Sequence, residues 1–435
     1  MNRSAPVYDL LGVGFGPSNL ALAISLAEAS EQQGAQLPHL FLERQPDFAW
    51  HPDMLIPGSD MQISCLKDLV SLRDPTSRYT FMNYLHAHGR LARFANRKTF
   101  FPSRAEFDDY LRWVARHFDD VCAYGETVIR VEPVVEQQAV TMLRVTSETC
   151  AGIRKARYAR NLVVAGGGEP AIPDAFSDVA VDDRVIHSAN YLSAIDRLQE
   201  RRGAPRRIAV IGSGQSAAEI FMDLHARFPG ARNDLIFRSH GLSPSDDSPF
   251  VNEIFDPDFT DTLYARPRAE RLKFLQVFQD TNYGVVDLEL IERLYALLYE
   301  QEVAGVSPHR VLPLSEVAGV SRGNDGVTLT RRSVIDGAAE ETSYDAVVLA
   351  TGYTRNDMTG VLSGVRDWIT GEEVDRYYRL PCRAGFRPTI FQQGANEITH
   401  GLSDTLLSVL PQRSREIRDA LLAERAAETS GESAA

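Results

Sequence analysis

Apolar runs that end in glycines recur along the chain and predict its main strands. In residues 10–24, LLGVGFGPSNLALAI, three glycines and a proline separate such a run from an alanine-rich stretch with helical spacing. Residues 206–224 repeat this design, and residues 344–353, YDAVVLATGY, end in a turn instead of a helix. Near-continuous apolar runs such as IAVI and AVVLA are typical of buried parallel strands. Strands that alternate with helices in this way predict a doubly wound α/β fold.

A helical stretch separates the second of these segments from the third. Residues 268–303 carry apolar side chains at helical spacing, in AERLKFLQVFQDT and DLELIERLYALLYEQEV. The pattern predicts a small helical insertion. After residue 413, a charged helix is expected to give way to a disordered tail, ETSGESAA.

The first glycine cluster has the spacing of a dinucleotide-binding turn. Gly12 and Gly14 fit the first two positions of GxGxxG, and Pro17 stands at the third. Glycines allow a tight turn and a close approach to a pyrophosphate, which the free N–H groups of the following helix attract. Pro17 can begin that helix because a first-turn N–H is unpaired anyway. Glu43, at the end of the next apolar strand, is expected to bind ribose hydroxyls. The alternative is a glycine turn without a ligand.

The second glycine cluster predicts a second dinucleotide-binding turn, followed by a strand that ends in a basic residue instead of an acidic one. In IGSGQSAAEI, the expected cofactor contacts are Gly212, Ser213, Gly214, Gln215 and Ser216. The next strand, DLIFR, ends in Arg238 instead of an acid. A guanidinium there suits the 2′-phosphate of NADP(H), although a solvated surface charge is the alternative. The strand after the first glycine cluster ends in an acid, which indicates FAD, and the strand after the second ends in an arginine, which indicates NADPH. A protein that binds both is expected to be a flavin oxidoreductase.

Charge and cysteine content narrow the class further. The 435-residue chain has a formal net charge of −13, which argues against a nucleic-acid partner. Its four cysteines are scattered without a CxxC pair, which argues against a zinc site and suits a reducing cytoplasm. The start, MNRSAPVYD, lacks the apolar core of a signal peptide, and no apolar run approaches the roughly 20 residues of a membrane span. We therefore expect a cytoplasmic protein.

Longer motifs make the chain similar to a known family. They are MQISCLKDLVSLRDPTSRYTFMNYL, FPSRAEFDDYLRWVA, DDSPFVNEIFDPDFTD, TNYGVVD, ATGY and HGLSDTLLSVLPQR, together with the two glycine clusters. From about residue 8 to residue 418 the chain resembles the flavin-dependent N-hydroxylating monooxygenases of siderophore biosynthesis, and most closely the L-ornithine N5-monooxygenases. The resemblance implies an α/β fold with two Rossmann-like dinucleotide-binding domains and a small helical substrate-binding insertion.

The resemblance also implies a division of the chain. Residues 1–175 and 345–435 are expected to form a discontinuous FAD-binding domain. Residues 176–240 and 304–344 are expected to form the NADPH-binding domain, and residues 241–303 the helical substrate-binding region. A homo-oligomer is expected as well, with a tetramer among the candidates.

In this family, NADPH reduces the flavin, and O2 then forms a C4a-hydroperoxide on it. The distal oxygen passes to the side-chain amine of L-ornithine, giving N5-hydroxyornithine for a hydroxamate siderophore. NADP+ stays bound and shields the peroxide. The amine must be neutral to act as a nucleophile, so a site that binds it must lower its ordinary pKa of about 10.4, and desolvation does so.

The resemblance assigns four residues to the substrate. Lys67 in SCLKDL matches a lysine that binds the substrate carboxylate, and Asn252 and Asn282 match asparagines of the substrate pocket. Asn282 is also expected near the nicotinamide ribose, and we expect Asn282 and Lys67 to take part in catalysis. Ser408 matches a substrate contact beside the flavin. The structural alternatives are a surface salt bridge for Lys67, turn or cap roles for the asparagines, and helix capping for Ser408.

Further residues are matched to the cofactors. Gln62 corresponds to a position near the flavin ring, Trp50 and His51 to positions along the flavin, and Arg104 to an arginine that binds NADPH. The alternative for Arg104 is an ion pair at the helix start, with Glu106 or Asp108. Further expected cofactor contacts are Thr351, Gly352 and Leu406, of which the first two are equally explained by the shape of a turn.

Several alternatives stay open on the sequence alone. The same chemistry could act on L-lysine or on a diamine such as putrescine. A flavoprotein disulfide reductase would need a redox-active cysteine pair, an NADPH oxidase would release peroxide, and a flavin sensor would not need an NADPH site.

Overall fold

The computed structural model describes residues 6–34, 36–179, 181–306, 308–323, 325–355 and 359–432. The strands, in chain order, are β1 (Val7–Val13), β2 (His39–Glu43), β3 (Cys122–Tyr124), β4 (Glu126–Glu136), β5 (Ala139–Thr149), β6 (Arg154–Val164), β7 (Gly168–Pro170), β8 (Val185–His187), β9 (Arg207–Ile211), β10 (Arg232–Ile236), β11 (Ser243–Pro244), β12 (Val285–Val286), β13 (Arg310–Leu312), β14 (Ser315–Arg322), β15 (Val327–Ser333), β16 (Ala339–Tyr344), β17 (Ala346–Leu349), β18 (Tyr353–Arg355) and β19 (Ile390–Gln392).

The α-helices are α1 (Pro17–Gln33), α2 (Phe81–Ala87), α3 (Leu91–Asn96), α4 (Arg104–Ala115), α5 (Tyr191–Arg202), α6 (Gln215–Arg227), α7 (Pro249–Asn252), α8 (Phe259–Tyr264), α9 (Arg268–Phe278), α10 (Leu288–Val303), α11 (Glu397–His400) and α12 (Leu410–Glu432). Short 3-10 turns lie between several of them, among them Gln279–Thr281, Leu402–Thr405 and Leu407–Val409.

Both ends of the chain build the first sheet. Its strand order is β3-β2-β1-β6-β5-β4, and β19 pairs with β6 as a further parallel neighbour. Strands β1, β2, β3 and β6 are parallel, whereas β4, β5 and β6 form an antiparallel meander. Helix α1 lies against this sheet with all its residues from Leu20 to Ile24 buried, because an apolar and alanine-rich helix can bury every side.

The second sheet is wholly parallel, with the order β13-β10-β9-β17-β8. The prediction that IAVI and AVVL form buried parallel strands is confirmed. Strand β17 pairs with β9 in this sheet, so the chain returns to the first sheet after residue 349, later than the boundary expected at residue 345. A purely apolar strand fits the centre of either sheet, which is why its sequence does not fix the boundary.

The chain crosses twice between the two sheets, and the two crossings pair with each other. Strand β7 follows the first sheet, β18 leaves the second, and they form an antiparallel ladder between Gly168–Pro170 and Tyr353–Arg355. Thr351 Oγ1 and the Ala171 carbonyl oxygen, 2.5 Å apart, add a hydrogen bond. The crossings therefore form one shared connection.

The helical insertion is divided between two cores. Ile254 and Phe255, with partly buried residues of α9, pack on Leu402 of the C-terminal segment. Leu290 and Leu294 of α10 instead join the core of the second sheet. The insertion thus bridges the second sheet and the C-terminal part of the first domain. Among the described helices, none combines the length and hydropathy of a membrane-spanning segment.

The C-terminal tail is more regular than predicted. Helix α12 continues to Glu432, so the disorder predicted for residues 428–432 is wrong, and residues 433–435 lie outside the described residues. The early part of α12 is buried at Leu410, Ile417 and Leu421, and this packing provides a stable start from which helical hydrogen bonding can propagate.

A histidine pair supports the second sheet. The buried His309 accepts a hydrogen bond from the Asn233 N–H at its Nδ1 (3.2 Å), so its Nε2 carries the proton and donates to His225 Nδ1 (2.9 Å). Burial, and next the charge of His225, lower the pKa of His309 from 6.5 to about 4. The fold therefore requires a neutral His309.

We expect acid to destabilise the protein partly through this histidine. Because the folded-state pKa lies below the unfolded value, the stabilisation is complete above about pH 6.5 and is lost as the pH falls toward 4. In His309→Asn, an amide oxygen can still accept from the Asn233 N–H but does not titrate. Between about pH 7 and pH 4.5, this variant should lose about 2 kcal/mol less unfolding free energy than wild type. Urea unfolding measures the difference, and equal losses would contradict the assignment.

Candidate active site

The first glycine turn is shaped to admit a phosphate. Gly14 has a φ of 83°, and a Cβ built there would lie 2.5 Å from the Ala165 carbonyl oxygen. A Cβ at Gly12 would overlap the ring of Phe41 on β2. Helix α1 begins at Pro17, as predicted, and no side chain caps its first N–H groups. The turn therefore excludes side chains and leaves donors free, and both features fit a pyrophosphate.

Glu43 lies where a ribose carboxylate partner is expected. It ends β2, next to the glycine turn, and accepts hydrogen bonds from the N–H groups of Phe15 (2.7 Å) and Gln45 (2.9 Å). These two donors fix the carboxylate at the carboxyl edge of the first sheet. This position fits the role that the sequence predicts.

A buried ion pair stabilises the first glycine turn through a contact with the start of α1. The sequence alone does not predict this pair. Arg413 and Asp404 are 1% and 0% exposed and lie 2.8 Å apart. Arg413 Nη2 also donates to Ser18 Oγ (2.8 Å), in the first turn of α1. Asp404 accepts from the Asn396 N–H (2.6 Å). Both residues of the pair lie in the motif GLSDTLLSVLPQR, but the contact of Arg413 with Ser18 spans almost the whole chain, so the motif alone does not predict it.

The second glycine turn repeats the design. Gly212 has a φ of 143°, and a Cβ there would overlap the Ala350 carbonyl oxygen. Helix α6 follows from Gln215, with Gly214 at its N-cap and no side-chain cap. Ser213 and Ser216 are half-buried beside it. This turn also leaves helix N–H groups free for an anion.

Arg238 lies at the edge of this second site. It stands two residues beyond β10, which neighbours β9 and its glycine turn. Its side chain is exposed and forms no ion pair with any described residue. The guanidinium is therefore available to a ligand at the carboxyl edge of the second sheet.

The Asn282 turn packs directly on the second glycine turn. A Cβ built at Gly214 would lie 3.6 Å from the Cα of Gly284. Gln215 Oε1 accepts from the Asp287 N–H (2.8 Å), which fixes the start of α10 at the same place. Asn282 is thus brought next to the second glycine turn.

Asn252 and Leu406 meet through the small core of the insertion. Asn252 ends α7, two residues before the buried Ile254, and Leu406 packs against Ile254 and Phe255. The Asn252 amide Nδ2 donates to the Asp247 carbonyl oxygen (2.7 Å), so the asparagine also stabilises its own turn. Its Oδ1 makes no hydrogen bond with another described residue and is an available acceptor.

Ser408 is a buried hydroxyl without a partner. It is 2% exposed, and its Oγ makes no hydrogen bond in the described structure. Because this hydroxyl accepts no hydrogen bond from the start of α12, the alternative of helix capping is wrong. Buried polar groups in folded proteins normally have a partner, so this hydroxyl fits a ligand contact.

The Lys67 loop is fixed by the residue that follows it. The buried Asp68 accepts from the N–H groups of Val70 (2.9 Å), Ser71 (2.6 Å) and Phe81 (2.7 Å). Burial raises the pKa of Asp68, and these hydrogen bonds oppose the rise. Lys67 itself is half-buried and has no ion pair within the described chain, so its alternative of a surface salt bridge is wrong.

The residues assigned to the flavin, Trp50, His51 and Gln62, differ in burial and in the groups that they contact. The ring of Trp50 packs on Phe107, and the backbone N–H of Trp50 donates to Asp108 Oδ1 (3.2 Å). His51, at a φ of 48°, places its ring 5.7 Å from that of Tyr353. Gln62 is exposed. The hydrogen bonds of Lys67 and Gln62 do not connect them to Asn252, Asn282 or Ser408 within the described residues.

Arg104 is paired across the two domains. Its guanidinium contacts both carboxylate oxygens of Glu219 in α6, at 2.8 Å each, and donates to the Met54 carbonyl oxygen (3.1 Å). The alternative of a pair with Glu106 or Asp108 is wrong, because Glu106 faces Arg90 and Asp108 faces Arg112. Arg104 thus lies beside the second glycine turn.

Thr351 and Gly352 shape the connection between domains. Gly352 has a φ of 76°, and its carbonyl oxygen accepts from the Ala171 N–H (3.0 Å) and from His187 Nε2 (3.1 Å). Both residues therefore have structural partners at the carboxyl end of β17. Among the described residues, no group of histidine, cysteine and acidic side chains could hold a metal ion.

Comparison with known proteins agrees with this geometry. A family model described as L-lysine 6-monooxygenase/L-ornithine 5-monooxygenase matches residues 6–355. An L-ornithine N(5)-monooxygenase from Burkholderia cepacia is 51% identical over 403 residues, which cover 91% of this chain and 90% of the relative.

Two solved structures have a similar fold. Ornithine hydroxylase from Pseudomonas aeruginosa superposes with a TM-score of 0.92 at 46% identity, covering 96% of this chain and 100% of that one. An ornithine N-hydroxylase from Kutzneria sp. 744, solved with reduced FAD, NADP+ and L-ornithine, gives a TM-score of 0.91 at 36% identity, with 97% and 100% covered. The predicted fold class is confirmed.

Proposed function

Because the chain belongs to the L-lysine 6-monooxygenase/L-ornithine 5-monooxygenase family, we propose that it hydroxylates the side-chain amine of L-ornithine with NADPH, FAD and O2. The product is N5-hydroxyornithine, a precursor of hydroxamate siderophores. One observation carries the proposal in this chain. The Asn282–Gly284 turn contacts the second glycine turn, an arrangement that would place the substrate-binding Asn282 beside the NADPH.

The residues present fit two dinucleotides. Gly14 provides a cradle that a Cβ would fill, and the start of α1 offers free N–H donors to the FAD pyrophosphate. Glu43 would bind its ribose. When bound and reduced by NADPH, FAD supplies the activation of O2. Gly212, Gly214 and the start of α6 would bind the NADPH pyrophosphate in the same way.

The substrate would lie between three parts of the chain. Lys67 would donate a charge-assisted hydrogen bond to the ornithine carboxylate, because it is half-buried and free of an ion pair in the described structure. Asn252 Oδ1 and the Asn282 amide would orient the amino groups. Ser408 Oγ would gain in the ligand the partner that it lacks within the protein.

These residues also favour the neutral form of the reacting amine. Asn252, Asn282 and Ser408 carry no charge, so they can orient the amine without stabilising its ammonium form. The apolar cluster that contains Leu406 would border the site and exclude water from one side. Desolvation lowers the pKa of an amine, so the proton leaves more readily as the substrate is enclosed.

Arg238 should set the preference for NADPH over NADH. In Arg238→Ala, the KM for NADPH should rise by about tenfold while that for NADH stays unchanged, because only NADPH carries the 2′-phosphate. Arg232→Ala is the matched control, since Arg232 begins the same strand β10 at its other end and is exposed. Steady-state kinetics with both coenzymes measures the effect. A KM for NADPH that does not change, or equal rises for both coenzymes, would contradict this role.

Substrate choice is tested by comparing amines. With L-ornithine, L-lysine and putrescine supplied separately, the proposal predicts the highest kcat/KM for hydroxylated-amine formation with ornithine. A higher value for lysine or putrescine would assign the protein to that substrate instead.

The domain division, the assembly and the compartment are parts of the same proposal. The FAD-binding region would comprise residues 1–175 and 350–435, the NADPH-binding region residues 176–240 and 304–349, which include β17, and the substrate-binding region residues 241–303. The outer face of α10 exposes Leu288, Tyr295 and Tyr299, which supports a homo-oligomer. A solution mass equal to the 48.3 kDa monomer would contradict it. Four free cysteines suit a reducing cytoplasm.

A further inference from the structure

Glu219 is a buried carboxylate at a junction of three elements. Its side chain, in the second turn of α6, is 5% exposed. It accepts two hydrogen bonds from Arg104 of α4, at 2.8 Å each, and one from Gln215 Nε2, at 2.8 Å. Gln215 in turn accepts from the Asp287 N–H at the start of α10. One carboxylate therefore connects the first domain, the second glycine turn and the insertion.

The hydrogen bonds of Arg104 leave one side of its guanidinium for a ligand. Nη1 donates to both Met54 and Glu219, and Nη2 donates once to Glu219. The Nε–H and the second Nη2–H have no partner in the described residues. These two N–H groups are parallel donors, which suit a phosphate or a pair of carbonyl-type acceptors. Glu219 thus uses one edge of the guanidinium and fixes the direction of the other.

Gln215 is fixed from both ends of its amide. Nε2 donates to Glu219, and Oε1 accepts from Asp287, so the amide cannot rotate without breaking a hydrogen bond. Gln215 is the first residue of α6, where the free N–H groups of the glycine turn lie. The carboxylate therefore also fixes the side chain that borders this turn.

We propose that Glu219 is a positioning residue for the nicotinamide dinucleotide, which it serves by orienting Arg104 and Gln215. The inference rests on the proposed function, because it takes the second glycine turn as the NADPH site. Glu219 is 5% exposed and hydrogen-bonded to Arg104 and Gln215, so it acts through these two side chains and not by contact with the ligand. Its contribution is to align donors before the coenzyme arrives, so that little ordering remains on binding.

The test is anaerobic reduction of the bound flavin by NADPH, followed in a stopped-flow instrument. In Glu219→Gln, half-saturation of the reduction rate should need about 10- to 100-fold more NADPH, since small misplacement of binding groups has effects of this size. The KM for ornithine and the amount of FAD that the purified protein retains should each change less than about twofold. In an Arg104→Gln background, Glu219→Gln should have a clearly smaller effect, because only Gln215 is left for Glu219 to orient.

Asp223→Asn is the matched control. Asp223 lies one turn later on α6 and accepts from Tyr191 Oη (2.6 Å) on the α5 side, so its loss removes the same charge without touching Arg104. The NADPH concentration that half-saturates flavin reduction should be the same in this control as in the wild type. If Glu219→Gln does not fold, Glu219→Asp makes the same test, because the shorter side chain cannot keep all three hydrogen bonds with Arg104 and Gln215.

Two results would overturn the inference. One is unchanged half-saturation by NADPH in the Glu219 variants. The other is an equal effect of Glu219→Gln with and without Arg104. Reduction is measured without ornithine or O2, so absence of hydroxylated product would refute the proposed function while leaving this comparison intact.

Discussion

Replacing Lys67 with methionine should raise the KM for L-ornithine by about 100-fold. A charge-assisted hydrogen bond to a carboxylate contributes about 1.5–3 kcal/mol, and 2.7 kcal/mol corresponds to that factor. Methionine keeps the length and apolar contacts of the side chain but removes the donor. Steady-state kinetics of hydroxylated-amine formation measures the change.

Putrescine separates the charge effect from general damage to the pocket. It lacks the carboxylate, so Lys67→Met should leave its KM almost unchanged. Lys273→Met is the matched control, since Lys273 is an exposed residue of α9. An unchanged KM for ornithine, or an equal rise for both amines, would remove Lys67 from carboxylate binding.

Of the substitutions proposed for this protein, one that breaks the Arg413–Asp404 pair should cause the largest loss in the free energy of unfolding. Asp404→Asn leaves the 1%-exposed Arg413 without a countercharge, and loss of one partner of a buried pair costs about 3–5 kcal/mol. We expect a fall in Tm of several degrees and weaker FAD retention, because Arg413 also contacts Ser18 in the first turn of α1. Thermal unfolding and the flavin absorbance of the purified protein measure both.

A second substitution tests the cause of that loss. In Asp404→Asn/Arg413→Met, the uncompensated charge is gone, so a large part of the Tm should return. Glu31→Gln is the control, since its pair with Arg78 is exposed and such pairs contribute about 0–1 kcal/mol. A wild-type Tm in Asp404→Asn, or no recovery in the double variant, would contradict the account.

The sequence predicts features that depend on neighbouring residues. Both glycine turns, the proline at the start of α1 and the helices of the insertion follow from spacing and backbone chemistry within a few residues. The buried parallel strands follow from their apolar runs. Such signals are complete within one segment, so no knowledge of the tertiary structure is needed.

The features that sequence reasoning missed depend on distant partners. The Arg104–Glu219 pair spans 115 positions, and the contact of Arg413 with Ser18 spans 395. Nothing near Arg104 distinguishes Glu219 from Glu106 or Asp108 as its partner. For the same reason, the apolar pattern of β17 does not reveal which of the two sheets it joins.

The most direct test of the central claim is a reaction under 18O2. Purified protein that retains FAD is mixed with NADPH and L-ornithine, and the product is analysed by mass spectrometry. The account predicts N5-hydroxyornithine that carries one oxygen atom from O2 and forms in step with NADPH consumption. Peroxide formed in step with NADPH consumption, without hydroxylated ornithine, would contradict it.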